Sequence, residues 1–156
     1  MIVVQTEDFD AGALLAGLRA EAGAAAGAIV TFTGYVRDYA PDEATETLFL
    51  EHYPGMCERE LAEIAETARS RWQLAGTVIA HRVGALPRES QIVFVAAASA
   101  HRGDAFRGCE FMIDALKTRA PFWKRETLAS GNSFWVEQRA SDEARTDAWN
   151  KDEETA

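Results

Sequence analysis

Apolar residues recur along this chain with two different periods, and the places where one gives way to the other mark its elements. Ile2 to Gln5 is a short β-rich run, after which Asp10 stands where a helix N-cap belongs and opens the small-residue stretch AGALLAGLRA. Gly23 and Gly27 break that helix. AIVTFTGYV (28–36) is dense in β-branched and aromatic residues, and TETLFLEH (45–52) alternates, with Leu48 and Leu50 on one face. Both read as strands, and across the polar, proline-bearing loop RDYAPDEA they are expected to pair antiparallel. Pro54 and Gly55 then introduce a helix in which Cys57, Leu61, Ile64, Ala65, Ala68 and Trp72 recur at spacings of three and four, with Glu and Arg on the other face.

After Gly76 come two further strand patterns, TVIAHRV and QIVFVAAAS, joined by GALPRES, whose Gly and Pro suit a turn. Residues 104 to 119 read as a helix with Phe106, Cys109, Ile113 and Leu116 on one face and Asp104 near its positive end. Pro121 ends it. FWKRETL and SFWVEQR flank the loop ASGN and give the clearest hairpin signal in the chain. Hairpins mixed with helices, rather than strict alternation, predict an α+β domain with a mainly antiparallel sheet and flanking helices. One domain over 1–150 is expected, followed by an acidic, disordered tail over 151–156.

Composition narrows what this domain does. At 47% hydrophobic, 156 residues can close one core without a metal or disulfide. A net charge of -9 argues against a nucleic-acid binder, so any anion site must be local. Cys57 and Cys109 fall in separate helical patterns and read as buried, reduced thiols. No apolar run nears the roughly 20 residues that span a bilayer, and the start lacks a basic, then apolar, leader; the reading is a soluble, cytoplasmic protein without membrane contact.

Against that acidic background, the stretch KTRAPFWKRE carries two of only three lysines in the chain. A helix end followed by a tight turn can bring Lys117 and Lys124 to one mouth, with Arg119 and Arg125 nearby. Clustered like charges lower a lysine pKa and make it a base or nucleophile. The plain alternative is a helix-terminal cation and an exposed strand residue. SAHR (99–102), at a strand-to-helix junction, offers backbone N–H groups together with His101 and Arg102 to an anion, or simply a capped turn. In TFTGYVRD (31–38), Gly34 suggests a bulge or close backbone approach, or equally a barrel-like bend without function, and Arg37 ends the run; Arg139 follows the last strand, where surface solvation is the default reading. His52 and His81 lie within strand patterns, with no zinc-ligand spacing to either cysteine.

In this order and spacing, TFTGYVRD, LEHYPGM, SAHR and KTRAPFWKRE closely resemble the large, catalytic subunit of molybdopterin synthase, over about Ile2 to Trp149. The resemblance implies an α/β hammerhead-type fold and a sulfurtransferase of molybdenum cofactor biosynthesis that needs no cofactor or metal of its own. Members of that family form a homodimer, and each copy binds one small ubiquitin-like sulfur carrier whose C-terminal Gly-Gly ends in a thiocarboxylate, giving a heterotetramer. Two sulfur transfers turn cyclic pyranopterin monophosphate into molybdopterin. Carried over position by position, the essential lysine is Lys117 and the second active-site lysine is Lys124. Substrate-binding positions fall on Tyr35, Val36 and Arg37, on His101 and Arg102, and on Lys124, Arg125 and Glu126, with Arg139 near the pocket. Lys117 then serves as general acid/base or stabilises negative charge, and Lys124 holds the carrier terminus or the pterin. The loop RDYAPDEA departs from the family pattern, being acidic and proline-bearing where relatives often carry glycine.

Two other readings compete. A non-catalytic module could dock an acidic partner at the basic mouth, but arginine would do that equally well and this chain otherwise prefers arginine. A degenerate scaffold subunit fits less well with Lys117, Lys124, His101 and Arg102 all present.

Overall fold

The computed structural model describes residues 1–38, 43–137 and 140–153. The chain runs β1 (Ile2–Gln5), α1 (Ala11–Ala22), a 3-10 turn (Gly23–Ala25), β2 (Ala28–Tyr35), β3 (Thr45–Glu51) and α2 (Met56–Trp72). It continues with β4 (Gly76–Arg82), β5 (Gly84–Pro87), β6 (Gln91–Ser99), α3 (Arg102–Thr118), β7 (Trp123–Leu128), β8 (Ser133–Trp135) and α4 (Ala140–Glu153). Every expected helix and strand forms, and every pair in both sheets is antiparallel except β1 with β4. This is the mainly antiparallel α+β arrangement expected. Among the described residues no helix is long and apolar enough to cross a membrane.

Two four-stranded sheets share the fold, ordered β1-β4-β6-β2 and β5-β3-β7-β8. In the first, alternate residues serve two cores. Ile79, Val93, Val95 and Ala97 face α2 and α3, while Val78, Ala80, Phe94, Ala96 and Ala98 face Leu18 and Ala22 of α1. Helices on both faces explain why QIVFVAAAS reads as an unbroken apolar run rather than an alternating one. Asp10 does cap α1, its Oδ1 accepting from the Ala13 N–H at 2.9 Å. In the second sheet Leu48, Leu50 and Leu86 form a smaller cluster with Val36.

Four sequence expectations give way here. The strands β2 and β3 do not pair; β2 pairs with β6, and β3 lies between β5 and β7. A bulge between Gly34 and Tyr35 bends β2, and the Val36 N–H then donates to the Ser90 carbonyl at 2.9 Å while the Glu89 N–H donates to the Val36 carbonyl at 2.9 Å. The backbone groups that would have extended a hairpin are thereby used elsewhere. GALPRES is not all turn: Gly84, at φ 80°, lets the chain leave the first sheet, and Gly84–Pro87 becomes the edge strand of the second. An edge is where a strand tolerates proline. Phe106 is 61% exposed, because the buried stripe of α3 runs through Ala105, Gly108, Cys109, Met112, Ala115 and Leu116.

The fourth concerns the chain's end. The acidic C-terminal stretch is helical through Glu153, three residues into the segment expected as a tail, while residues 154–156 lie outside the described ones. Its polar composition hides one anchor. Trp149 stands edge-on to Trp72 and Phe111 at centroid distances of 5.5 and 5.9 Å, and its indole N–H donates to Asp114 Oδ2 at 2.9 Å. Asp114, only 5% exposed, also accepts from Arg145 Nε at 3.0 Å. Replacing Asp114 with Ala removes both charge-assisted bonds. The expected cost is about 2–3 kcal/mol in urea unfolding, with faster amide exchange in α4 and unchanged exchange in α1.

Candidate functional site

The local chain path divides the expected site residues between two ends of the molecule. At one end β6 runs out at Ser99 and α3 begins at Arg102. The Gly27 N–H donates to the Ser99 carbonyl at 3.0 Å, and a Cβ at Gly27 would sit 2.3 Å from the Ala100 carbonyl oxygen. Only glycine permits that approach. His101 is the N-cap residue, but its side chain makes no capping bond; it and Arg102 are exposed beside a cleft of about 660 Å³ walled by Gly27, Ala28, Ala100 and Gly103. Free helix N–H groups, the dipole and a guanidinium all favour an anion here.

From that point α3 returns alongside β6, with the Cys109 thiol against the Val95 carbonyl midway. Arg102 to Lys117 is about 22 Å at roughly 1.5 Å per helical residue. Lys117 therefore lies at the opposite end, where β2 finishes: Tyr35 is in register with Gln91, the first residue of β6. Tyr35 and Arg37 are exposed there. Val36 is not; it is 2% exposed in the core cluster with Leu48 and Leu50. Lys117 is in the last turn of α3, its side chain 44% exposed and its Nζ 3.9 Å from Asp142 at the start of α4. At that distance and exposure the pair contributes little.

The Pro121 turn then carries the chain to Lys124. It is held from α2, where the Cys57 thiol donates to the Pro121 carbonyl at 3.6 Å and Glu60 accepts from Arg119 at 2.8 Å. Arg119 is thus an anchor of the turn. On β7, alternation puts Lys124, Glu126 and Leu128 inward and Trp123 and Arg125 outward. Arg125 lies over the rings of Phe49 and Trp135, at 5.2 and 5.7 Å, away from the face of Lys124. Glu126 is fully buried. One of its oxygens accepts a short hydrogen bond from the Thr45 hydroxyl, and the other has no partner among the described residues. Leaving a buried carboxyl oxygen without a partner is costly. Arg139 lies outside the described residues, as do residues 39–42 of the loop RDYAPDEA.

Spacing did not reveal His81, on β4. It is 7% exposed, its ring stacks on Phe122 at 4.0 Å and 10°, and its Nδ1–H donates to the Arg82 carbonyl at 2.8 Å. Burial, assisted by Lys124 and His52, lowers its pKa to about 4. The sequence signal was present: a histidine within an otherwise apolar strand, both faces of which are covered. The chain's own thiols are unsuited to carry sulfur, since burial pushes the Cys109 thiol up to about 12 and raises that of Cys57.

Lys117 and Lys124 lie on either side of the Pro121 turn that follows α3, and the cleft beside His101 and Arg102 lies at the start of that helix. Known proteins share this chain's sequence and fold. The family model described as MoaE protein matches residues 4–119. The chain belongs to the MoaE family. A molybdopterin synthase catalytic subunit of Ralstonia nicotianae is 49% identical over 148 residues, 95% of this chain and 83% of that one. Among solved structures, a molybdopterin biosynthesis MoaE protein of Burkholderia ambifaria superposes with a TM-score of 0.81 at 46% identity, covering 96% of this chain and 97% of that one. A molybdopterin synthase of Staphylococcus aureus superposes with a TM-score of 0.76 at 32% identity, covering 86% and 96%. The match to the MoaE model takes in Arg37, His101, Arg102 and Lys117 and ends at residue 119, before Lys124.

His81 makes stability depend on pH. Its folded pKa of about 4 lies below the ordinary value of 6.5, so between these values the unfolded chain binds a proton that the folded chain refuses. This contribution to stability is intact above pH 6.5 and lost as pH falls towards about 4, by at most about 3 kcal/mol. The difference between wild-type and His81→Phe stability curves, measured by urea unfolding from pH 7.5 to 4, should show that slope.

Proposed function

We propose that Lys117 and Lys124, on either side of the Pro121 turn, form the centre at which this chain transfers sulfur to a pterin. Family membership and near-half identity to molybdopterin synthase catalytic subunits over almost the whole chain make its reaction the sulfur transfer of molybdenum cofactor biosynthesis. The observation that carries the site assignment is the antiparallel return of α3, which sets Lys117 at the same end as Arg37 and the start of β7. Both reactants suit that end, for cyclic pyranopterin monophosphate and a thiocarboxylate terminus are anions. The thiocarboxylate sulfur bonds to a side-chain carbon of the pterin as that carbon's bond to oxygen breaks, the oxygen leaving as water or, at a carbon that carries the cyclic phosphate, staying on phosphorus as the ring opens. Water then cleaves the acyl–sulfur bond, so the carrier leaves as a carboxylate. Lys117 stabilises the negative charge or moves the proton in these steps, and Lys124 holds the carrier terminus or the pterin. Two rounds complete the dithiolene.

His101 and Arg102 are too far along α3 to share that centre within one copy. A homodimer supplies them: the second copy brings its own helix start, with the anion-seeking cleft, to the lysines of the first. Each copy takes one small ubiquitin-like carrier protein, giving a heterotetramer, and the whole works in the cytoplasm, where the thiols of Cys57 and Cys109 stay reduced.

Purified chain mixed with thiocarboxylated carrier and cyclic pyranopterin monophosphate should form molybdopterin. Lys117→Ala should lower the single-turnover rate about 100-fold or more with little change in melting temperature, because the side chain is exposed. Wild-type turnover by that variant would remove Lys117 from the chemistry.

A further inference from the structure

We propose that His81 is a positioning residue for Lys124, acting through the ring of Phe122 on which it stacks. The proposal rests on Lys124 belonging to the sulfur-transfer centre described above, and it concerns a residue of the other sheet.

The connection is built from three contacts. In the first sheet His81 is in register with Val4 on one side and Val93 on the other, so its backbone is fixed by two neighbouring strands. Its ring is fixed as well. A carbonyl oxygen can only accept, so Nδ1 carries the proton it shares with Arg82, and Nε2 is the bare nitrogen of a neutral imidazole. The guanidinium of Arg82 is turned instead to the carbonyls of Thr6 and Gln91 and to Asp8. Finally, the ring lies nearly parallel to Phe122, which is two residues before Lys124.

Phe122 is where the turn becomes strand. Its N–H donates to the Ala120 carbonyl at 2.8 Å, closing the tight bend at Pro121, and Trp123 begins the pairing of β7 with Glu51. The contacts from α2 hold the turn at Arg119 and Pro121, upstream of the point where the strand's direction is set. His81 holds it from the first sheet at the next residue. Because side chains alternate along a strand, a rotation or slip of Phe122 is passed to Lys124 on the inward face.

Charge explains why this support is a neutral ring. Lys124, from β7, and His52, just past the end of β3, are the titratable groups whose fields reach it. A second cation in that position would repel the ammonium that the site needs to keep in place, and burial keeps His81 uncharged at neutral pH. A histidine serving only the core would also be buried and bonded, so the test must follow Lys124 itself.

The chain contains just three lysines, Lys117, Lys124 and Lys151, so protein labelled with ¹³C-lysine gives three resolvable side-chain Cε signals. In His81→Asn, which loses the stack, and in Phe122→Leu, the Lys124 signal should shift while those of Lys117 and Lys151 stay. Each variant should lower the single-turnover rate about tenfold, as expected for a misplaced catalytic group. Combining them should lower it no further, because both remove one interaction. His81→Phe keeps a flat ring on Phe122 and should recover most of the loss. An unmoved Lys124 signal, or losses that multiply in the double variant, overturns the proposal; if His81→Asn does not fold, Phe122→Leu supplies the same measurement. Lys124→Ala separates the two ideas. Full turnover by Lys124→Ala refutes the site, whereas the Cε shifts report the link from His81 to Lys124 whatever that lysine does.

Discussion

Burial of β6 on both faces is the constraint on which the rest of this molecule depends. A nine-residue strand without a polar face must be covered twice, and it is, by α1 on one side and by α2 and α3 on the other. Its run of Ala96, Ala97 and Ala98 keeps the strand thin where helices approach. Once α3 is committed to that face its direction is no longer free. It leaves the end of β6 and must travel back along it, so its first residues and its last turn lie at opposite ends of the sheet. The division of His101 and Arg102 from Lys117 follows from this packing, and with it the need for a second copy in the proposed reaction.

The distribution of charge is governed by the same frame. Among the described residues, four arginines serve as ties: Arg88 to Asp38, Arg119 to Glu60, Arg145 to Asp114 and Glu110, Arg82 to Asp8. These pairs consume acidic groups of a protein with net charge -9 and stiffen the connections between elements. The lysines differ in kind. An ammonium on a long stem gives up or retains its proton according to its surroundings, which a guanidinium does not do. Lys117 and Lys124 stand on either side of a turn held from α2 and stacked upon by His81.

Much of the fold was legible because it rests on local periodicity. The α2 stripe from Cys57 to Trp72 is buried as its spacing implied, the Gly34 bulge occurs, and the last two strands form their hairpin. Where reading failed, a distant partner had decided the matter. The strand β3 carries nothing in its own sequence that says it will pair with β5 and β7 rather than β2. Gly84–Pro87 has the composition of a turn and becomes a strand because β3 offers it an edge. The helix α4 is polar almost throughout and is held by Trp149 and Asp114, a contact across 35 residues.

The candidate site divides in the same way. Sequence alone determined the chemistry on offer: two lysines around a proline, an arginine after a bulged strand, a basic pair at a helix start, and their order along the chain. Those are properties of residue type and short spacing. Tertiary structure alone decided that Val36 is core, that Arg125 faces away from Lys124, that the carboxylate of Glu126 is buried against Thr45, and that a histidine more than 40 residues upstream lies under the turn. The physical reason is that burial, desolvation and the direction in which an element returns are set by what packs against it, and those neighbours come from parts of the chain that no local pattern connects.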